Sequence, residues 1–487
     1  MRRAKGTTVS LNCVDKGLFA LHSKDDPMVL HYVLTLAGAV DPAALRSALA
    51  TVMLRHPVLR STIRTGLLHQ CREVQDIRSR DVLTLCGLAG AQTERGTDPE
   101  QINALYERRL SEWMNRPLDP SREWPCRVLL LGRTLQDFSL VFTVHHSATD
   151  GLGAFRFIEE VIQEYNGTAD NSTPSACCLT DEKGDELVAL ARASRPGISH
   201  FYLKIVASLF HRFLIAPLSP NTRVCRTRSG KGAEIDFCQG TLTSYELKQI
   251  RSRSKASGVT VNDVLLAAGF RTIEQWNAVH GKPSRKISIM VPVDVGRATS
   301  FPINGNRVAF ISVAAAQHER ADHEALLRAV HQKTANMLRN GTAFSIVYAV
   351  YLCCCYSPQI AKAVARFLLA TRVYLDTILL TNLGAIQPRG SASTEVRNMG
   401  NAAITSIAVL APVVSPMGMS LSADTYNDHL HVSLAYKTSH FSHAEARLLL
   451  SLFLHEMRGY QRTAQGVLAP SVTERATREA VPATRPC

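Results

Sequence analysis

The stretch VHHSATDGLG at Val144–Gly153 constrains the fold of this 487-residue chain more than any other feature. Before it, Asp137–Val144 alternates apolar side chains between two faces, as a strand does. After it, Phe155, Ile158 and Ile162 recur at helical spacing. The pattern therefore predicts a strand–turn–helix junction that holds the polar side chains of the stretch rigidly.

Two adjacent histidines end the predicted strand, and neighbours on a strand point to opposite faces. His146 lies four residues before Asp150; we expect it to be a general base, with His145 as the supporting residue that braces the strand. Asp150 is expected to orient the site through local hydrogen bonds or a distant arginine, and Gly151 to allow the turn. A metal site at His145, His146 and Asp150 is disfavoured because adjacent strand side chains diverge, and we predict no metal.

This arrangement suits direct acyl transfer. A neutral imidazole can take the proton of an acceptor hydroxyl as the oxygen attacks a thioester, and then return it to the leaving thiolate. The chain has no G-x-S-x-G nucleophile motif, so a covalent enzyme intermediate is not indicated. A histidine with a purely structural role is the alternative that the pattern alone leaves open.

The composition indicates which kinds of molecule this protein can bind. Net charge is +14, which favours anionic partners such as coenzyme A or acidic lipid. Aromatic residues are only 6% and do not interleave with basic residues, so no nucleic-acid partner is expected. The 12 cysteines form no C-x-x-C pair, which indicates a reducing, cytoplasmic setting. No apolar run reaches the length of about 20 residues that a membrane span needs.

We predict two mixed α/β units, residues 1–175 with the histidine motif and residues 230–465, with a site between them. A linker, 176–229, contains the apolar segment Phe201–Leu218, predicted as a core helix or as an amphipathic helix on a membrane or along a tunnel. Residues 466–487 lack periodicity and are expected to be a disordered tail.

Several blocks resemble, in order, the chloramphenicol-acetyltransferase-like superfamily, which includes condensation domains, wax ester synthases, polyketide-associated acyltransferases and alcohol acetyltransferases. The blocks are the motif itself together with Val14-Asp15, Ala37–Thr62, Arg116-Pro117-Leu118-Asp119, Val261–Ala267, Val291–Arg297, Gly305-Asn306-Arg307 and Thr381-Asn382-Leu383-Gly384. The resemblance implies two similar α/β sandwich lobes around an active-site tunnel. It also implies His146 as the base, Asp150 as a structural residue paired with Arg297, Gly151 at the turn and Asn382 in substrate binding.

The resemblance further implies an O-acyltransferase with no permanently bound cofactor. Acyl-CoA or a phosphopantetheine thioester on an acyl carrier protein would be the donor, and a lipidic or polyketide-type alcohol the acceptor. Freestanding amide-forming condensation onto an amine and an inactive carrier- or lipid-binding homologue are the alternatives. We expect a cytoplasmic monomer, with peripheral membrane contact left open.

Overall fold

The computed structural model describes residues 7–67, 69–87, 99–134, 136–168, 203, 206–207, 210, 214, 218–230, 232–294, 305–371, 376–386 and 398–462. Arg297, the tail 466–487 and most of the predicted linker 176–229 lie outside the described residues. Five apolar side chains of Phe201–Leu218 are described, and all are exposed, so these five do not belong to a buried core helix. They are Leu203, Val206, Phe210, Leu214 and Leu218.

The described residues form ten α-helices and fifteen strands. The helices are α1 Cys13–Leu21, α2 Pro42–Arg55, α3 Pro99–Asn115, α4 Gly151–Tyr165, α5 Ser244–Ala256, α6 Val261–Val279, α7 His323–Arg339, α8 Ala343–Tyr356, α9 Pro358–Thr371 and α10 His443–Arg462. The strands are β1 Thr8–Ser10, β2 Val29–Ala37, β3 Ser61–Thr65, β4 Gln70–Val74, β5 Leu83–Gly87, β6 Cys126–Gly132, β7 Asp137–His145, β8 Ile235–Leu242, β9 Lys286–Asp294, β10 Val308–Ala316, β11 Ile378–Ala385, β12 Asn398–Met399, β13 Ala402–Leu410, β14 Met419–Tyr426 and β15 His429–Lys437.

The first lobe is built on a six-stranded sheet with the order β12-β13-β2-β7-β6-β5. Alternate side chains of β7, such as Phe142 and Val144, pack with α2 and α4 in one apolar core. Val141, from the opposite face, packs with α3 in another. The predicted strand before the motif is therefore confirmed as the central β7, and the predicted helix after it as α4.

The second lobe is built on a six-stranded sheet with the order β10-β9-β11-β14-β15-β8. One face packs with α5, α6, α7 and α10 in a continuous core. The other face meets the first lobe, where Tyr426 Oη donates to Ile404 O at 3.0 Å and Gln239 Nε2 donates to Ile407 O at 2.8 Å. The fold is the two-lobed α/β arrangement predicted from the sequence.

Each lobe contains an element from the part of the chain that builds the other lobe. Residues of β12 and β13 fall within the predicted second unit, 230–465, yet both strands lie in the first sheet, because β13 pairs antiparallel with β2. In the opposite direction, α1 contributes Cys13, Val14 and Leu18 to the core of the second lobe. The lobes are therefore tied together near the histidine motif, and simple boundaries along the chain do not describe them.

Helix α7 begins at His323, after a short 3-10 turn at Gln317–Arg320. The side chain of Asp322 accepts from Ala325 N at 2.6 Å and caps the helix at that point. Among the described residues no helix is long and apolar enough to cross a membrane.

Candidate active site

The motif lies where β7 ends and α4 begins. Asp150 is the N-cap of α4, and its Oδ1 accepts from Gly153 N at 2.8 Å. Its Oδ2 accepts from Arg307 N at 2.9 Å, across the lobe interface. Asp150 therefore holds backbone groups on both sides of the lobe interface. The predicted partner Arg297 lies outside the described residues.

His145 is fully buried and braced on both ring nitrogens. Its Nδ1 accepts from Ser147 N at 3.1 Å and lies 2.8 Å from Ser147 Oγ, so Nδ1 carries no proton. Its Nε2 is 3.0 Å from His22 Nδ1, which already accepts from Met28 N, so the His145 Nε2–H donates. Burial, followed by the neighbouring His22, holds the pKa of His145 well below its usual value. The His145 ring is therefore buried, neutral and held at both nitrogens.

His146 is half-buried, and its ring is fixed by Asn306. The Nδ1 atom lies 2.8 Å from Asn306 Oδ1. Asn306 Nδ2 donates to Asp15 Oδ1 at 2.8 Å and to the His146 carbonyl at 2.6 Å, so Oδ1 must be the acceptor atom of this amide. Nδ1 of His146 is therefore protonated, and the lone pair of the neutral ring lies on Nε2.

Burial lowers the pKa of His146 below its ordinary value of 6.5. Hydrogen bonding to its own backbone carbonyl, the charge of Asp150 and the Asn306 hydrogen bond all act in the opposite direction, because they favour the protonated ring. At neutral pH the ring is therefore mostly uncharged and can accept a proton, and its surroundings are suited to stabilise the cation once it forms.

Asn306 is in turn held by a buried ion pair. Asp15 Oδ1 also accepts from Asn306 N at 2.9 Å, and Asp15 Oδ2 lies 3.6 Å from Arg72 Nη2. The same Arg72 nitrogen donates to the carbonyl of Ser147, inside the motif. Burial raises the pKa of Asp15 to about 6, against the opposing effects of Arg72 and Asn306. These contacts form a series that connects β4, α1 and the second lobe to His146, in the order Arg72, Asp15, Asn306, His146.

Two glycines permit close approach at the site. Gly305 has φ +73°, and a Cβ there would lie 2.9 Å from both Asp15 Oδ2 and Asn12 Nδ2. A Cβ on Gly151 would lie 3.1 Å from Leu383 Cδ2. Gly151 is the first residue of α4 and does not have a positive φ. At this position Gly151 allows tight packing between the lobes, and its role in the turn stays a prediction.

Asn382 lies in β11, where its Oδ1 accepts from Gly384 N at 2.9 Å and closes a local turn. The next residue, Leu383, is the one that approaches Gly151. The structure therefore places this segment beside the motif. The role of Asn382 in substrate binding stays a prediction.

A cavity of about 1490 Å³ opens beside His22, whose Nδ1 lies 3.0 Å from His145 Nε2. Its walls include His22, Val29 and His31, together with parts of α3, α9 and the segment after β15. His22, Asp15, Arg72 and Asn306 were not among the predicted site residues. Asp15 and Asn306 lie in two of the sequence blocks that resemble the family, so the resemblance could have pointed to them. No feature of the sequence pointed to His22 or Arg72.

The sequence profile of the condensation domain family matches residues 15–181. A Mycobacterium tuberculosis protein named Putative diacylglycerol O-acyltransferase is 24% identical over 226 residues, which cover 42% of this chain and 45% of that protein. The chain spans about half the length of the curated relatives it matches.

Solved structures are similar over nearly the whole chain. The first condensation domain of the calcium-dependent antibiotic synthetase, in complex with a substrate analogue, has a TM-score of 0.66 at 14% identity, covering 95% of this chain and 98% of that one. The starter condensation domain of rhizomide synthetase, a mutant in complex with C8-CoA and Leu-SNAC, has a TM-score of 0.63 at 13% identity, covering 94% and 95%. The chain therefore has the fold of condensation domains, and its residues 15–181 match the profile of that family.

Proposed function

We propose that this protein is an acyltransferase that moves an acyl group from a coenzyme A or phosphopantetheine thioester to a hydroxyl acceptor, with His146 as the general base. The observation that carries the proposal is the contact between His146 Nδ1 and Asn306 Oδ1, from which the position of the ring proton follows. Asn306 Oδ1 accepts from Nδ1 at 2.8 Å, which leaves the Nε2 lone pair as the basic atom.

The reaction needs no covalent enzyme intermediate. His146 Nε2 takes the proton of the acceptor hydroxyl as the oxygen forms a bond to the thioester carbonyl carbon. The tetrahedral intermediate then expels the sulfur, the C–S bond breaks, and the Nε2 proton passes to the thiolate. The products are an ester and a free thiol, and the histidine returns to its neutral form.

The surroundings of His146 favour the cation that forms between these two proton transfers. Asn306 Oδ1 presents a partial negative charge to Nδ1–H, and the Asp150 carboxylate adds a full one. Because both groups are already held by hydrogen bonds, they stabilise the imidazolium without reorganising. The buried Asp15 behind Asn306 orients that amide and adds its own charge.

The cavity beside His22 supports entry of one substrate from this side. Its volume, about 1490 Å³, exceeds that of ordinary small-molecule pockets. We propose that it admits one substrate toward the motif. The donor, whether acyl-CoA or an acyl carrier protein, and the acceptor need not enter by the same route.

Amide formation onto an amine is the second candidate, and similarity to condensation domains favours it. The lowered pKa of His146 leaves a neutral ring that can accept a proton from either acceptor. Similarity to a protein named Putative diacylglycerol O-acyltransferase favours the hydroxyl. An inactive binding homologue is disfavoured, because the buried network behind His146 orients precisely the atom that catalysis would use.

The test is thiol release from a panel of acyl-CoA chain lengths, with alcohols and amines offered as acceptors and the ester or amide product identified. We expect wild type to form an ester and His146→Ala to lose transfer. His455→Ala, an exposed histidine of α10, is the matched control and should keep full activity. If only the amide product forms, the protein is a condensation enzyme and the proposed ester formation is wrong. Equal activity of wild type and His146→Ala would reject His146 as the base.

A further inference from the structure

An exposed apolar group lies at the edge of the large cavity. Leu67, in the turn between β3 and β4, is 82% exposed, and Ile360 and Phe367 of α9 are 48% and 56% exposed. Ile360 and Phe367 lie seven residues apart and therefore on one face of the helix. We call these three residues the apolar rim. Clusters of exposed large apolar side chains on a folded protein usually mark an interaction surface.

The turn and the helix are in contact with each other and with the cavity. Gln359 Nε2 donates to Gly66 O at 3.4 Å, which places the Leu67 turn beside the first turn of α9. Thr65, Gln359 and Lys362 from the same two segments line the cavity. Ala361 and Ala365 of α9 are buried, so the helix packs on the protein along that side and presents Ile360 and Phe367 to solvent.

The charge around the rim is positive. The sequence of α9, PQIAKAVARFLLAT, has two basic residues and no acidic one, and Lys362 and Arg366 are both exposed. The turn GLLH between β3 and β4 also has no acidic residue. Acidic side chains do line the cavity, but they lie in other segments, at Asp25, Asp119, Glu123 and Glu234.

We propose that the apolar rim binds an anionic lipid surface, with α9 lying along the interface and the cavity mouth facing the lipid. An amphipathic helix with basic residues beside an exposed apolar stripe has the composition of an interfacial helix. Most of the Leu67 side chain is exposed at its turn, so it can insert between lipid headgroups. A protein partner would need a recess in its own surface that fits this side chain. The proposal goes beyond acyl transfer and is tested by binding alone.

The experiment is flotation of the full chain with vesicles made of equal parts phosphatidylglycerol and phosphatidylcholine, or of phosphatidylcholine alone. Wild type is expected to float with the anionic vesicles, and less so as salt is raised. Leu67→Asp combined with Ile360→Asp is expected to weaken partitioning by at least about tenfold, because two apolar side chains no longer leave water. Val279→Asp, 64% exposed at the end of α6, is the matched control and should float as wild type does.

Failure of wild type to float with anionic vesicles would overturn the proposal, as would equal flotation of the rim variant. Binding to a purified acyl carrier protein that is lost in the rim variant, without vesicle binding, would assign the surface to an acidic protein instead. Transfer to a short, water-soluble acceptor is expected to continue in the rim variant, so loss of lipid binding is distinguishable from loss of catalysis.

Discussion

Replacing Asn306 by alanine should slow acyl transfer while leaving the donor bound. The change removes the acceptor of the His146 Nδ1 proton, 2.8 Å away, and the donor that holds the His146 carbonyl at 2.6 Å. A hydrogen bond to a charged group contributes about 1.5–3 kcal/mol, and here the charge exists only after proton transfer. At about 1.4 kcal/mol for each tenfold change in rate, kcat is expected to fall by about ten- to hundredfold, with little change in KM.

The same substitution should also shift the pH dependence of the rate in a defined direction. The Asn306 hydrogen bond raises the pKa of His146 because it stabilises the protonated ring. Its loss should lower that pKa, so the acid limb of the rate profile should move to lower pH while the plateau falls. Steady-state thiol release across pH, on wild type, Asn306→Ala and the helix-end control Asn340→Ala, measures both effects. An Asn306→Ala enzyme with an unchanged plateau and limb would refute the account of how His146 is positioned.

The remaining predictions concern charge and packing. Asp15→Asn should remove the group that titrates near pH 6 and so simplify the acid limb of the same rate profile. Asp150→Ala should lower the free energy of unfolding by about 1–2 kcal/mol in urea titrations, because α4 loses its N-cap. Gly305→Ala should reduce both activity and thermal stability, since its φ is +73° and its new Cβ would meet Asp15 and Asn12. Asp424→Asn should stabilise the fold in urea titrations. Both of its carboxyl oxygens are buried without a hydrogen-bond partner among the described residues, and burial raises its pKa well above the ordinary value. Folding therefore disfavours the charged form at neutral pH, so the gain should grow as pH rises above about 4 and vanish below it. Equal stability of the Asp424→Asn protein and wild type across this range would contradict that assignment.

Local periodicity was enough to predict the strand and helix around the motif. β7 alternates its side chains between two cores, α4 buries one regular set of apolar residues, and Asp150 caps α4 directly before its first residue. The same reasoning did not find β14, where Ser422 and Asp424 alternate with apolar residues. That strand is buried on its polar face only because the first lobe covers it.

The hydrogen-bond network behind His146 could not be predicted from the sequence pattern, for a different reason. Asp15, Arg72 and Asn306 come from α1, β4 and the loop before β10, and each is an ordinary polar residue in its own segment. Their relation depends on the passage of α1 into the second lobe, which no local spacing encodes. The sequence could therefore single out His146 as the candidate base, but not the hydrogen bonds that hold its ring.

The most direct test of the account is the protonation of His146 itself. Nitrogen NMR of histidine-labelled protein, with the His146 signals identified by their loss in His146→Ala, reports which ring nitrogen carries the proton at neutral pH. We predict a neutral ring with the proton on Nδ1, titrating below the ordinary value of 6.5. A proton on Nε2, or a ring that is already charged at pH 7, would contradict the central claim that His146 presents a basic Nε2 to the acceptor.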